Sequence, residues 1–155
     1  DGKATLFEGG IRVPCLVRWP GVIQPGTQSN EVSWAVDWFP TLAKMAGASF
    51  NESLLDGKDL LPVLRGEASG KPRELFWELG AHTELERGQW LGLRQGDWKY
   101  VLSPINGGWL FNLEADPYEQ LNLASENQQR FGQMRRRAKH MSKDYKASGE
   151  IKPSF

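Results

Sequence analysis

The amino-acid sequence predicts an α+β fold in which a small antiparallel sheet is followed by an amphipathic helix. Two observations carry this prediction. Short segments rich in aromatic and β-branched residues, separated by glycine-containing turns, occupy the middle of the chain, and an apolar stripe at helical spacing occupies its end. The 155 residues suffice to bury one core, and 25% charged with 39% apolar residues is typical of a folded domain.

Four short strands are predicted in the second half of the chain. They cover Leu75–Leu79, Trp90–Arg94, Trp98–Leu102 and Trp109–Leu113. Gln95-Gly96-Asp97 separates the second from the third and is typical of a tight hairpin, while Asn106-Gly107-Gly108 marks another turn. Closely spaced strands with short turns predict an antiparallel meander.

The end of the chain is predicted to be a helix with Ser125 as its N-cap. Apolar residues recur at alternating intervals of three and four, which places them on one face of a helix. These residues are Phe131, Met134, Ala138, Met141 and Tyr145. The basic triplet at positions 135–137 then lies mostly on the opposite, solvated face, where His140 is also expected.

Shorter helices are predicted in the first half. Asp37 stands where an N-cap belongs, Pro40 lies in the first turn, and Gly47 follows the last helical residue. The apolar residues of this helix share one face: Phe39, Leu42 and either Met45 or Ala46. A further helical turn, pressed onto the core, is predicted at Leu60–Leu64.

Residues 11–19 are rich in β-forming residues and end at Pro20-Gly21, which predicts a strand closed by a turn. Pro14 lacks an N–H group and so suggests an edge position. Cys15 is the only cysteine, which excludes a disulfide within the chain. Its apolar neighbours predict a packed thiol rather than a reactive one.

Charge and hydropathy exclude two classes of partner. Nineteen basic and nineteen acidic residues cancel, so there is no reason to expect nucleic acid or an anionic membrane as a partner. No apolar run reaches the roughly 20 residues that cross a bilayer, so we expect no membrane insertion.

Two groups of motifs are more specific. The first runs from Gly2 to Pro14 and contains Lys3, Glu8-Gly9-Gly10 and Arg12-Val13-Pro14, with Trp19-Pro20-Gly21 behind it. The second is spread along the chain: Asp37 with Phe39-Pro40-Thr41, Asp56-Gly57, Arg94 with Gly96-Asp97-Trp98-Lys99, Leu110-Phe111-Asn112-Leu113, and Asp116-Pro117 with Glu119. In this order and at these distances, they resemble the C-terminal third of the formylglycine-dependent sulfatases, or arylsulfatase family.

The resemblance implies roles for three residues near the start of the chain. Lys3 matches the lysine that contacts the sulfate group and stabilises charge on its oxygens in the transition state. A lysine is also suited to a tetrahedral oxyanion because its ammonium group is a compact charge with three donors. For Glu8 and Arg12 we expect a structural ion pair that locks the turn, with contact to substrate as the alternative.

The resemblance also implies an alkaline-phosphatase-like α/β enzyme of which this chain is a C-terminal fragment. Residues 1–65 would be the last segments of the catalytic domain, and residues 66–155 the antiparallel-sheet subdomain. The full-length enzyme would use calcium and a formylglycine nucleophile, with none of the metal ligands in this chain. Cys15 is followed by Leu16-Val17-Arg18 and lacks the proline of the nucleophile motif. We therefore expect the chain alone to be inactive.

Two further features bear on substrate. His82 lies in a polar loop between two predicted strands, where a substrate contact competes with an ordinary surface position. Seven tryptophans could form sugar-binding platforms, but their places in strands and motifs favour core packing. The family implies a sulfated small molecule or glycan as substrate, and a secreted, periplasmic or lysosomal location.

Two alternatives remain open from the sequence. A phosphodiesterase or phosphonate hydrolase of the same superfamily would share most of these motifs. A non-catalytic carbohydrate-binding module would use the tryptophan-rich sheet and would need no nucleophile.

Overall fold

A computed structural model describes residues 2, 5–67, 72–80 and 89–148, with side chains up to 144. The α-helices are α1 (Glu8–Ile11), α2 (Trp38–Met45), α3 (Leu61–Leu64) and α4 (Gln128–Ser148), with 3-10 turns at Ala35–Asp37 and Glu52–Leu54. The strands are β1 (Glu74–Leu79), β2 (Trp90–Gln95), β3 (Trp98–Ser103) and β4 (Gly107–Asn112). Two compact units result: described residues up to Pro14 group with those from Pro72 onward, and residues 15–71 form the other unit.

The sheet of the first unit is the predicted meander. All four strands pair antiparallel with their neighbours in the order β1-β2-β3-β4. Gln95 pairs with Trp98, so Gly96 and Asp97 form a two-residue hairpin loop. Gly96 has a φ of 60°, which glycine adopts without steric cost. The predicted α+β class and the four strands are therefore confirmed.

Helix α4 covers one face of this sheet. Met134 and Ala138 are buried against Leu93, Tyr100 and Leu110. The predicted apolar stripe is thus confirmed as far as Met141, whereas the side chain of Tyr145 lies outside the described residues. The helix begins at Gln128, three residues after the predicted cap.

The helix lies close to the sheet at Gly108 of β4. A Cβ atom at position 108 would come within 2.8 Å of the Phe131 ring. The missing side chain therefore lets α4 approach this strand, and Phe131 stacks edge-on against Tyr100 with ring centroids 5.4 Å apart.

Residues 5–11 cover the opposite face of the sheet. Leu6 is buried together with Val101 and Phe111, and Phe7 and Ile11 pack against the same cluster. Both faces of the central strands are consequently covered, so any polar side chain on them must find a partner inside the protein.

The strand predicted at residues 11–19 is wrong. Residues 8–11 form α1, and the described backbone that follows pairs with no strand. Cys15 is exposed rather than packed, and Leu16 is 96% exposed. The prediction was based on the β-forming residues of this segment. A strand also needs a neighbouring strand to which its backbone can hydrogen-bond, and Pro14 has no N–H group to donate.

The second unit contains both helices predicted for it. Helix α2 ends before Gly47, whose φ of 66° is that of a C′ glycine. The predicted helix is present, but its apolar face is not buried by other described residues, because Phe39 and Leu42 are more than half exposed. The predicted turn at 60–64 is α3, with Leu60 and Leu61 buried.

Glu74 joins the edge strand β1 to α4 and should make stability depend on pH. Its carboxylate accepts hydrogen bonds from Arg137 at 2.7 and 2.9 Å and from Gln95 at 2.6 Å. Partial burial acts to raise the pKa of Glu74, but the bonds from Arg137 and Gln95 outweigh it, so the pKa is lowered. The stabilisation is therefore present above the ordinary carboxyl pKa and is lost as pH falls through the lowered pKa.

We predict that Glu74→Gln lowers the free energy of unfolding by up to about 1 kcal/mol at pH 7, because the pair is partly exposed and screened by solvent. The difference should shrink as pH falls below the ordinary carboxyl pKa and should disappear only below the lowered pKa of native Glu74, where the wild-type carboxyl is protonated. Denaturant unfolding at several pH values measures this. The exposed Glu126→Gln is the control, and a deficit of Glu74→Gln that stays constant down to acidic pH would contradict the assignment.

Candidate functional site: a buried ion cluster at the motif residues

A lysine is completely buried in the middle of the sheet. Lys99 lies on the interior strand β3, and its side chain is 0% exposed. Its Nζ atom is 2.7 Å from Oε1 of Glu8 on α1 and 2.7 Å from Oε1 of Glu119. These three residues, here called the ion cluster, bring together three of the sequence motifs.

Glu119 reaches Lys99 from a constrained turn. Its φ of 56° is in the left-handed region, which is uncommon for a residue with a side chain. The turn is held by Asp116, whose carboxylate accepts a hydrogen bond from the Leu121 N–H at 2.8 Å. The other carboxylate oxygen of Glu119 accepts the backbone N–H of Glu8. A strained backbone fastened by several contacts indicates that the position of this carboxylate matters.

The ion pair expected between Glu8 and Arg12 is wrong, because Glu8 is buried and pairs with Lys99. Arg12, the other residue expected in this pair, is exposed at the rim of a cleft beside the cluster. One cation and two carboxylates give the ion cluster a formal charge of −1, and all three side chains are at least 90% buried. Such charges are tolerated inside a protein only when they are paired and hydrogen-bonded.

The cleft has a volume of about 780 Å³ and one aromatic wall. Phe7 lies edge-on to Trp90, Trp109 and Phe111 at centroid distances of 5.3–6.1 Å. Trp109 and Trp90 are stacked 6.5 Å apart. All seven tryptophans of the chain are buried or half-buried, which agrees with the prediction that they pack.

The motif residues of the second unit also have structural roles. Asp37 is fully buried, and its carboxylate accepts the N–H groups of Trp34 and Lys58 at 2.7 and 2.9 Å instead of capping α2. Thr41 donates to the Asp37 carbonyl and accepts from the Leu60 N–H.

Gly57 is required by close backbone contact in the same region. A Cβ atom at this position would lie 2.1 Å from the Val36 carbonyl oxygen. Asp56-Gly57 is therefore in the motif because two backbone segments meet there.

The two predicted site residues lie outside the described residues: Lys3 and His82. His140, expected to face solvent, is exposed on α4 and pairs with Asp144 at 2.8 Å. The sequence analysis missed Lys99 as part of a cluster. Its position between Trp98 and Tyr100 in a predicted strand could have indicated burial. A buried lysine needs a carboxylate nearby, so an ion pair could have been predicted, although not its partners.

The described residues do not fit a calcium site. They contain no group of three or more His, Cys, Asp or Glu side chains placed to hold a metal ion. The two acids of the ion cluster, Glu8 and Glu119, are already neutralised in part by Lys99. Among the helices of the described part of the chain, none has the length and apolar character needed to cross a membrane.

The four-stranded antiparallel sheet and its helices form an α+β fold that is similar to that of solved alkaline-phosphatase-like sulfatases. Comparison with known proteins gives the family. The sequence profile of N-sulphoglucosamine sulphohydrolase, C-terminal, matches residues 2–145. The chain therefore belongs to this family of sulfatase C-terminal domains.

Individual relatives and solved structures agree. Arylsulfatase A of Bos taurus is 42% identical over 79% of this chain and 28% of its own length, and choline-sulfatase of Rhizobium meliloti is 39% identical over 79% and 23%. Ps i-CgsB, solved in complex with k-i-k-neocarrahexaose, has a TM-score of 0.75 at 28% identity over 91% of this chain and 31% of that chain. Phosphonate monoester hydrolase of Agrobacterium radiobacter has a TM-score of 0.51 at 25% identity over 74% and 25%. The chain spans less than a third of the length of each.

We predict that Lys99→Met destabilises the protein by about 3–5 kcal/mol, because it leaves two buried carboxylates facing each other. The double substitution Glu8→Gln/Lys99→Met should recover part of this loss, since only one carboxylate then remains. Denaturant unfolding measures both variants. Lys139→Met on the exposed face of α4 is the control, and a Lys99→Met protein as stable as that control would contradict the charge assignment.

Proposed function

We propose that this chain is the C-terminal part of a sulfatase that hydrolyses sulfate esters. The observation that carries the proposal is the convergence of Glu8, Lys99 and Glu119, each from a different sulfatase-like motif, in one buried cluster. Membership of the family and the identity to two named sulfatases support it. The activity is that of the full-length protein.

Lys3 is proposed to bind the sulfate group in that protein. Its ammonium group would stabilise negative charge that develops on the sulfate oxygens in the transition state. The described residues that flank Lys3 in sequence contact each other, because the Thr5 hydroxyl donates to the Gly2 carbonyl at 2.9 Å. Glu8 then connects this segment to the sheet through Lys99.

The remaining chemistry is proposed to come from parts of the enzyme outside this chain. When present, a formylglycine nucleophile would attack the sulfur atom, and calcium would hold the sulfate oxygens. Cys15 cannot be the precursor of this nucleophile, because the proline of the nucleophile motif does not follow it. Its side chain is exposed. We therefore propose that the chain alone is inactive.

The exposed apolar face of α2 supports a larger protein. Phe39 is 58% and Leu42 53% exposed, although both would contribute to a core if covered. We propose that residues 1–65 are the last segments of the catalytic domain and that residues 66–155 are the C-terminal subdomain.

The proposed substrate is a sulfated small molecule or glycan, and the proposed location is secreted, periplasmic or lysosomal. The complex of Ps i-CgsB with k-i-k-neocarrahexaose and the name of choline-sulfatase support a substrate in this range. His82 is proposed to contact the substrate.

A phosphonate hydrolase is the second candidate, favoured by the fold shared with phosphonate monoester hydrolase. The sulfatase proposal is better supported, because the sulfatase relatives are 39–42% identical against 25% for that enzyme. A carbohydrate-binding module is less well supported, because the tryptophans that it would use are buried or half-buried.

We predict that the full-length protein hydrolyses an aryl sulfate and that Lys3→Ala lowers kcat by about 100-fold, because a charge contact made in the transition state is lost. Lys139→Ala, on the exposed face of α4, is the matched control and should retain full activity. Steady-state kinetics with a chromogenic aryl sulfate measures both.

Three other outcomes would count against parts of the proposal. A loss of less than about twofold would remove Lys3 from the site. Faster turnover of a phosphonate monoester than of the aryl sulfate would favour the second candidate. Turnover by the 155-residue chain alone would contradict its assignment as an inactive fragment.

We predict that His82→Ala raises KM for the sulfated substrates that His82 contacts and changes kcat less. A side chain that binds the substrate and the transition state equally well contributes to KM but not to kcat. His140→Ala is the control, since His140 is exposed on α4. Comparing several sulfated sugars and an aryl sulfate on the full-length protein measures the effect, and an identical KM series for both variants would exclude His82 from the substrate site.

A further inference from the structure

We infer that Lys99 is a positioning residue for sulfate ester hydrolysis: through Glu8 it holds the segment at residues 5–11 in place against the sheet. The inference rests on the proposed function. It concerns a residue whose side chain is 0% exposed on β3, so its effect on the reaction must pass through another group.

The first step is the attachment of α1 to an interior strand. β3 pairs with β2 on one side and β4 on the other, so the backbone of Lys99 is held by two ladders. Its Nζ atom contacts the Glu8 carboxylate at 2.7 Å with no exposure to solvent. A buried charge without its partner is strongly unfavourable, which restricts Glu8, and therefore α1, to positions within reach of Lys99.

The second step is the closure of the cluster around Glu8. Glu119 contacts the same ammonium group and also accepts the backbone N–H of Glu8. Glu8 is thus fastened at its side chain by Lys99 and at its backbone by Glu119. The left-handed backbone of Glu119 is the conformational cost of aiming its carboxylate at both groups.

The third step connects α1 to the beginning of the chain. A Cβ atom on Gly10 would lie 2.3 Å from the Thr5 carbonyl oxygen and 2.9 Å from the Gly2 carbonyl oxygen. The carbonyl oxygens of Gly2 and Thr5 therefore lie directly against α1. Leu6, which follows Thr5 and precedes α1, is 1% exposed in the core. A shift of α1 is transmitted to this backbone through direct contact.

Catalytic geometry is sensitive to such shifts. A displacement of about 1 Å at a reacting group can reduce the rate about 100-fold, even when the altered residue is distant. Lys3 lies in sequence between Gly2 and Thr5, so it is the group whose contribution should depend on Lys99. A buried ion cluster can hold α1 in one position because its charged groups must remain in contact. A well-packed apolar side chain could give similar stability without fixing that position.

The experiment is a double-mutant cycle on the full-length protein, with Lys99→Met and Lys3→Ala alone and together. We expect Lys99→Met to lower kcat for an aryl sulfate at least about tenfold with KM changed less than about threefold. In the Lys3→Ala background, the same substitution should lower kcat by less than about threefold, because the interaction that it disturbs is already absent. A merely structural loss would lower activity by the same factor in both backgrounds.

Gly10→Ala provides a second route to the same segment if Lys99→Met does not fold. Its Cβ atom must displace the Thr5 carbonyl, so it should show the same loss of kcat and the same dependence on Lys3. Gly132→Ala is the matched control. It places an alanine in helix α4, where the added Cβ atom would meet the end of the flexible Arg136 side chain at 3.4 Å, and it should leave kcat unchanged.

The outcomes separate the inference from the proposed function. Losses from Lys99→Met or Gly10→Ala that multiply with the Lys3→Ala loss would overturn the positioning role while leaving the sulfatase proposal intact. Wild-type kcat in folded Lys99→Met or Gly10→Ala would also overturn it. No hydrolysis of sulfate esters by the wild-type enzyme would overturn the proposed function, and the inference with it.

Discussion

The buried ammonium group of Lys99 is the constraint on which the first unit depends. It lies inside a sheet covered on both faces and can remain charged only if acids reach it from outside the sheet. Glu8 and Glu119 meet this requirement from opposite ends of the sequence, 91 and 20 residues away. Helix α1 and the turn after β4 are consequently held together by a single charge.

Most motif residues that resemble the sulfatases serve structure in this chain. Asp37 satisfies backbone N–H groups in the second unit, Gly57 permits two backbones to meet, and Gly96 forms a hairpin. Asp116 and Glu119 build a turn whose purpose is the ion cluster. In the described part of this chain, these motif residues therefore mainly meet requirements of folding.

This division suits a hydrolase whose reacting groups come from distant parts of the sequence. The sheet and α4 share one buried core, and α1 packs on the other face of the sheet beside a second buried cluster. The proposed role of Lys99 follows from that placement. Stabilising charges aid a reaction only when they are held in place beforehand, and a buried ion cluster can hold them without reaching the substrate.

The sequence by itself determined the α+β class, the four strands, the hairpin at Gly96 and the apolar stripe of α4, because these depend on local spacing and turn residues. It also identified the family through ordered motifs. Only the tertiary structure decided that residues 12–19 are not a strand and that Lys99, Glu8 and Glu119 meet. Strand pairing and ion pairing join residues far apart in the chain, and no local pattern specifies which distant partner will be present.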